Sequence, residues 1–169
     1  MESVVTVSGE PEASARIESA FYANEQRLGQ FLVQMVRDRS LAEDLLQETF
    51  VAAFNARDRA SDVENLDAWL FGIARHRALA ALRRTRRMRR AIERLAGRGG
   101  VQQSEPIEVG SVMDVLDRVL SPDDRSLVVL RYVHELDATQ LAKLTGRTPA
   151  AIRKRLERAC SALAGEIEP

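Results

Sequence analysis

Between Arg75 and Arg98 the chain carries ten arginines and a single acid, Glu93. A guanidinium is planar, permanently charged and able to grip two oxygens of one phosphate at once. The chemistry on offer here is therefore phosphate binding. Arginines at three- and four-residue spacings repel one another along a helix. A nucleic-acid backbone relieves that repulsion, and release of its counterions drives the affinity. The alternative, a solvated helix that touches nothing, leaves the repulsion unrelieved.

Overall charge hides this feature, because 25 basic residues balance 25 acidic ones. The two signs are segregated. Residues 1–74 hold six basic and thirteen acidic residues, and residues 99–169 hold nine and eleven. One surface for a polyanion and another for a different partner are implied. The single cysteine, Cys160, excludes an internal disulfide, and with only His76 and His134 besides it no metal site is expected. GRGG at 97–100 lacks the flanking strand and helix of a phosphate loop, and no nucleophile–base pattern stands out. No cofactor is expected, and a catalytic reading would need acids assembled from separate helices. The acidic N-terminus is unlike a signal peptide and no run approaches a membrane span, so a cytoplasmic protein is the expectation.

The elements that must position the arginines are helical. Aromatic content is only 5%, so the core falls to Leu, Ala, Val and Ile. After a loose leader over 1–12, Ile17, Phe21, Leu28, Phe31, Leu32 and Met35 recur at helical spacing. Ser40 to Glu43 fits a capping box opening a second helix. That helix turns Leu41, Leu45, Leu46, Thr49 and Phe50 inward and leaves Asp44, Gln47, Glu48 and Val51 on another face. A loop is expected over 57–65. Asn65 then caps a third helix, which buries Leu66, Trp69, Leu70, Ile73 and Ala74 and continues into the arginines. These helices make a first domain over 13–96. Residues 97–111, with four glycines and no helical period, read as a flexible linker.

A second helical domain spans 112–166. Val112, Val115, Leu116 and Val119 are in register, and Ser121-Pro122-Asp123-Asp124 is a strong helix start. Asp137 to Gln140 opens a short helix, Thr145-Gly146-Arg147 turns, and Thr148-Pro149 begins the last helix. This is a helix-turn-helix pattern. Ile152, Leu156, Ala159 and Leu163 anchor the last helix, while Arg153, Lys154, Arg155 and Arg158 spread over its outer arc for base edges and phosphates. A solvated basic face on a packing helix is the alternative.

AEDLLQETF (Ala42–Phe50) followed by WLFGIARHRALAALRR (Trp69–Arg84) resembles region two of bacterial sigma-70 factors of the extracytoplasmic-function group. Leu120–Leu163 resembles their region four. The resemblance implies an all-α fold of two small domains, a three- or four-helix bundle and a helix-turn-helix, joined by the linker. It implies a transcription initiation factor with no catalysis of its own. The partners implied are core RNA polymerase (the beta-prime clamp and beta flap), promoter DNA and an anti-sigma protein wedged between the two domains.

By the same resemblance, Asp38, Glu43, Asp44, Leu45, Gln47 and Glu48 match the family's polymerase-gripping helix. Ala60, Ser61, Asp62, Val63 and Asn65 match the segment that captures a flipped base of the minus-ten element, where a preformed pocket recovers a few kcal/mol of lost stacking. Arg75, His76, Leu79, Arg83 and Arg84 match the helix that contacts the separating strands. Thr148, Ala150, Ala151, Arg153, Lys154, Arg155 and Arg158 match the helix that reads the minus-thirty-five element. Glu105 and Glu108 in the linker would favour its passage along basic polymerase walls. His76 replaces a common asparagine and Leu79 a frequent aspartate, which bears on base preference. Two other readings stay open on the residues alone: a free-standing helix-turn-helix regulator, and a nucleic-acid-processing enzyme.

Overall fold

Arg37 takes a left-handed backbone, φ 58°, and with it the first helix stops and the chain reverses. The computed structural model describes residues 9–97 and 112–167. Most of the leader and the linker, Glu105 and Glu108 included, lies outside them. Helix α1 is Glu10–Val36, so part of the segment expected to be a leader is helical, begun by Pro11 in the first turn. Helix α2 is Arg39–Asn55. Its cap is Asp38, not Ser40: the Asp38 carboxylate accepts from Leu41 N at 3.0 Å, which places Ser40 inside the first turn.

A single turn, α3 (Arg57–Ala60), interrupts the expected loop, and α4 runs from Leu66 to Ala96. Asn65 caps α4 as its position suggests, its side-chain oxygen accepting from Ala68 N at 2.9 Å. The first core joins Ile17, Leu28, Phe31, Leu32 and Met35 of α1, Leu45 and Ala53 of α2, and Leu70, Phe71, Ala74 and Ala78 of α4. The small residues of α4 let the neighbouring helices come close, and Phe21 and Phe50 meet edge-on at 4.9 Å. Trp69, Leu66 and Ile73 are only half-buried. From Arg83 to Ala96 every residue of α4 is exposed, so the arginine half of the helix projects beyond the bundle.

The second unit comprises α5 (Val112–Val119), α6 (Pro122–Tyr132), α7 (Ala138–Thr145) and α8 (Pro149–Ile167). Ser121 caps α6, and Asp137 with Gln140 forms the capping box of α7. Gly146, at φ 67°, makes the left-handed turn into α8 that L side chains rarely adopt. Leu127, Leu130, Leu141 and Ile152 are buried here and continue the hydrophobic core of the first unit.

The two units do not stand apart on their linker: α4 packs on α6 and α7, and α1 packs on α6. His134 is buried at this seam against Phe31 and Phe71, with ring centroids 5.8 and 5.2 Å away. Its Nε2 lies 2.9 Å from Gln34 Oε1, and Arg27 donates to its carbonyl at 2.7 Å. Arg125, also buried, donates to Met35 O at 2.8 Å and pairs with Asp117.

Candidate polymerase and nucleic-acid interfaces

Helix α2 presents Glu43, Asp44, Gln47 and Glu48 to solvent, with Val51 55% exposed beside them. Carboxylates around an uncovered aliphatic suit contact with another protein. Two residues matched to the polymerase face serve the fold. Leu45 is buried in the core, and Asp38 spends one carboxylate oxygen on the helix cap.

Six of the ten residues matched to the minus-ten element line two clefts. Asp62, Val63 and Asn65 line the first with Trp69, Ile73, His76 and Arg77 of α4; Gln140, Lys143 and Leu144 of α7 form its far wall. Its volume is about 890 Å³. Asn65 commits its oxygen to the α4 cap, while Ser61 donates to Asp58 O at 3.0 Å. Ala60 is buried and lines neither cleft, so it is a packing residue in this arrangement. Leu79 and Arg83 line the second cleft, of about 880 Å³, with Arg86, Arg89 and Arg118. Arg84 is exposed but lines neither cleft.

Arg75 enters neither cleft lining. Its Nε donates to Ser126 Oγ at 2.8 Å, and its terminal nitrogen pairs with Asp123 at the start of α6. Asp123 also receives both terminal nitrogens of Arg147 at 3.2 Å and one of Arg155 at 2.6 Å. Burial pushes the Asp123 carboxyl up, but Arg75, Arg155 and Arg147 outweigh it and hold the group below the usual carboxylate range. Burial also pulls the Arg75 guanidinium down, and Asp123 only partly offsets it. Arg155 moves the other way, because its bonds to Asp124 and Asp123 exceed its loss of water.

On α8, Thr148 Oγ1 accepts from Ala151 N at 3.2 Å and so caps the helix. Ala150, Ala151, Arg153, Lys154 and Arg158 are exposed. Arg155 is not free, since two of its nitrogens reach Asp124 at 2.9 and 2.6 Å. Sequence reasoning missed Asp123, Ser126 and His134 as partners across the seam. Asp123 reads as an ordinary first-turn acid, and nothing in its neighbourhood announces a partner 48 residues away.

Among the described residues, no group of three or more His, Cys, Asp or Glu side chains is placed to hold a metal ion. No described helix is long and apolar enough to cross a membrane.

These surfaces coincide with two family models. Residues 21–88 match Sigma-70 region 2, and residues 118–163 match Sigma-70 region 4. The chain is 32% identical over 163 residues to the RNA polymerase sigma factor CarQ of Myxococcus xanthus, covering 92% of this chain and 93% of CarQ. It is 29% identical over 164 residues to the ECF RNA polymerase sigma factor SigL of Mycobacterium tuberculosis, covering 93% and 92% of the two chains. Its fold is similar to that of the sigma factor RpoE of Bartonella quintana, solved in complex with the anti-sigma factor NepR. There the TM-score is 0.67 at 23% identity, over 90% of this chain and 98% of RpoE. Both family models in order, with relatives matched along nearly their whole length, settle the family: the chain belongs to the sigma-70 family, as an extracytoplasmic-function RNA polymerase sigma factor that acts in transcription initiation.

Proposed function

We propose that α2 docks on the clamp of core RNA polymerase while α4 and α8 hold promoter DNA at two separate elements. The observation that carries this reading is the division of the first bundle. Asp44, Gln47 and Glu48 lie exposed on α2, and the uncovered arginines lie on the projecting half of α4. Opposite charges on different helices let one domain bind a protein and a polyanion together. The cleft lined by Asp62, Asn65, Trp69 and His76 receives an unstacked base of the minus-ten element, and Arg83 with Arg84 holds the neighbouring backbone. Arg153, Lys154 and Arg158 enter the major groove at the minus-thirty-five element, where α8 is anchored by Ile152 and Leu156. The second domain also meets the polymerase flap, and the linker passes between the two.

The polymerase supplies the chemistry, and this chain supplies position. A cytoplasmic location follows from that role. An anti-sigma protein is a further partner, in line with the complex in which the Bartonella relative was solved.

The test is a pull-down of core RNA polymerase with the double variant Asp44→Ala, Gln47→Ala. Both side chains are exposed, so the helical spectrum and melting temperature should stay unchanged while polymerase affinity falls. Undiminished binding would remove α2 from the polymerase surface.

A further inference from the structure

We infer that the cleft between α4 and the α5–α6 junction is a binding site for a small oligophosphate anion, a nucleoside polyphosphate or a short inorganic chain. The site shares Leu79 and Arg83 with the surface matched to the minus-ten element, and it is separate from the polymerase face of α2. Six arginines line the cleft against two acids, Asp117 and Asp123. Arg83, Arg86 and Arg89 follow one another at three-residue spacing and so share one face of α4. Arg118 and Arg147 approach from the other wall.

Both acids are already engaged. Asp123 gives one oxygen to Arg75 and the other to Arg147 and Arg155. Asp117 pairs with Arg125. Arg125 is buried, yet its Nε has no hydrogen-bond partner among the described residues. Burial, with Arg37 adding to it, pulls that guanidinium down to about 10, so negative charge is in short supply within this lining. Among the described residues no carboxylate pairs with Arg83, Arg86 or Arg89. Arg118 meets only the exposed Glu166, at 3.3 Å. Guanidiniums on two facing walls without counter-charge suit a ligand that carries several anionic oxygens close together. The volume of about 880 Å³ is too small for a duplex and falls within the roughly 300–1,000 Å³ of small-molecule sites. Leu79, Leu82, Val119 and Leu120 add an apolar wall that a nucleoside would cover and an inorganic chain would leave bare.

The experiment is calorimetric titration of the full chain, at about 0.15 M salt, with sodium tripolyphosphate, ATP, AMP and orthophosphate. Tripolyphosphate and ATP should each bind one to one, with AMP and orthophosphate about tenfold weaker because they present fewer charged oxygens. Two double variants locate the site. Arg86→Gln with Arg118→Gln removes one cation from each wall and should weaken tripolyphosphate binding about tenfold or more. Arg87→Gln with Arg90→Gln makes the same charge change on α4 outside the cleft, where salt screens it, and should cost no more than about threefold. All four side chains are exposed, so the melting temperature should not move. Tighter binding of ATP than of tripolyphosphate places a nucleoside on the apolar wall. Equal or weaker binding of ATP makes the phosphate chain alone the recognised group, and either result supports the site. Equal losses from the two double variants, orthophosphate binding as tight as that of tripolyphosphate, or no saturable one-to-one binding would overturn it.

Discussion

Arg75 and Asp123 sit in different domains, yet each is the other's principal charged partner. The Arg75 side chain is 11% exposed and that of Asp123 33%, so the pair is shielded from water much more than a surface ion pair. Replacing Arg75 with alanine removes the crossing arm and leaves Ser126 Oγ without its donor. The cost to domain docking should be about 1–3 kcal/mol, the usual penalty for an orphaned, mostly buried partner. Hydrogen exchange is the suitable measurement: amides of α6 and α7 facing the seam should exchange faster, while those of α2 should not. Uniform acceleration across both domains would mean that Arg75 supports global folding instead.

His134 makes the seam sensitive to acid. Burial, with the nearby Arg27 guanidinium adding to it, holds the imidazole down to about 4. Gln34, Phe31 and Phe71 face the ring and none of them carries a charge that would compensate. The closed form therefore keeps the neutral ring, whereas the opened chain titrates near the ordinary 6.5. The contribution of His134 to closure is fully present well above pH 6.5 and is lost as pH falls from there toward 4, because only the open form takes up the proton. At pH 5.5 the open-to-closed ratio should rise about tenfold relative to pH 7.5. Small-angle scattering across this range should show the expansion, and His134→Gln should abolish the pH dependence.

Much of the helical order was legible in the sequence because caps and periodicity are local. Asn65, Ser121 and Asp137 each cap the helix that their position announces. Ser40 was a false signal for a physical reason. The left-handed turn at Arg37 leaves Asp38 in extended backbone, and its carboxylate reaches the free amide first. The α2 wheel places Leu45 inward with Thr49, as the structure does, and it is the family resemblance that set Leu45 on the polymerase face. The seam was not legible. Phe71, Gly72, His134 and Leu144 read as ordinary members of their own helices or turns, and only the pairing of two domains gives them a shared role. Arg75 is engaged for the same reason, since Asp123 arrives from the other domain, whereas Arg155 pairs with Asp123 and Asp124 inside its own domain, where α8 packs on α6.

The capping box of α7 offers a test of how the first helix of the helix-turn-helix docks on α4. Asp137 Oδ1 accepts from Gln140 N at 2.8 Å, and Gln140 Oε1 accepts from Asp137 N at 2.8 Å. Asp137→Ala removes one of these bonds outright and should cost about 1 kcal/mol of stability. Urea unfolding should show a lower midpoint with an unchanged slope. Because α7 also walls the cleft at Lys143 and Leu144, the same variant should raise the accessibility of Trp69 to acrylamide quenching. A lowered midpoint with unaltered quenching would separate the stability of α7 from its docking on α4.

The projecting half of α4 and the outer arc of α8 should differ in how they use arginine. Arg86, Arg87, Arg89 and Arg90 are exposed on the projecting half of α4, so on DNA they meet phosphates. Each phosphate neutralised contributes about 0.9 to the slope of log affinity against log salt on duplex DNA. Replacing Arg89 and Arg90 with glutamine should therefore flatten the slope by about 2 and weaken all sequences alike. Arg153 stands on the exposed arc of α8, two residues beyond Ala151, where a helix laid in the major groove reaches base edges. Arg153→Ala should cost about 1–3 kcal/mol on a preferred duplex and much less on a random one. Fluorescence anisotropy of both variants over a salt series distinguishes the two behaviours. A sequence-independent loss for Arg153→Ala would reassign that residue to the backbone.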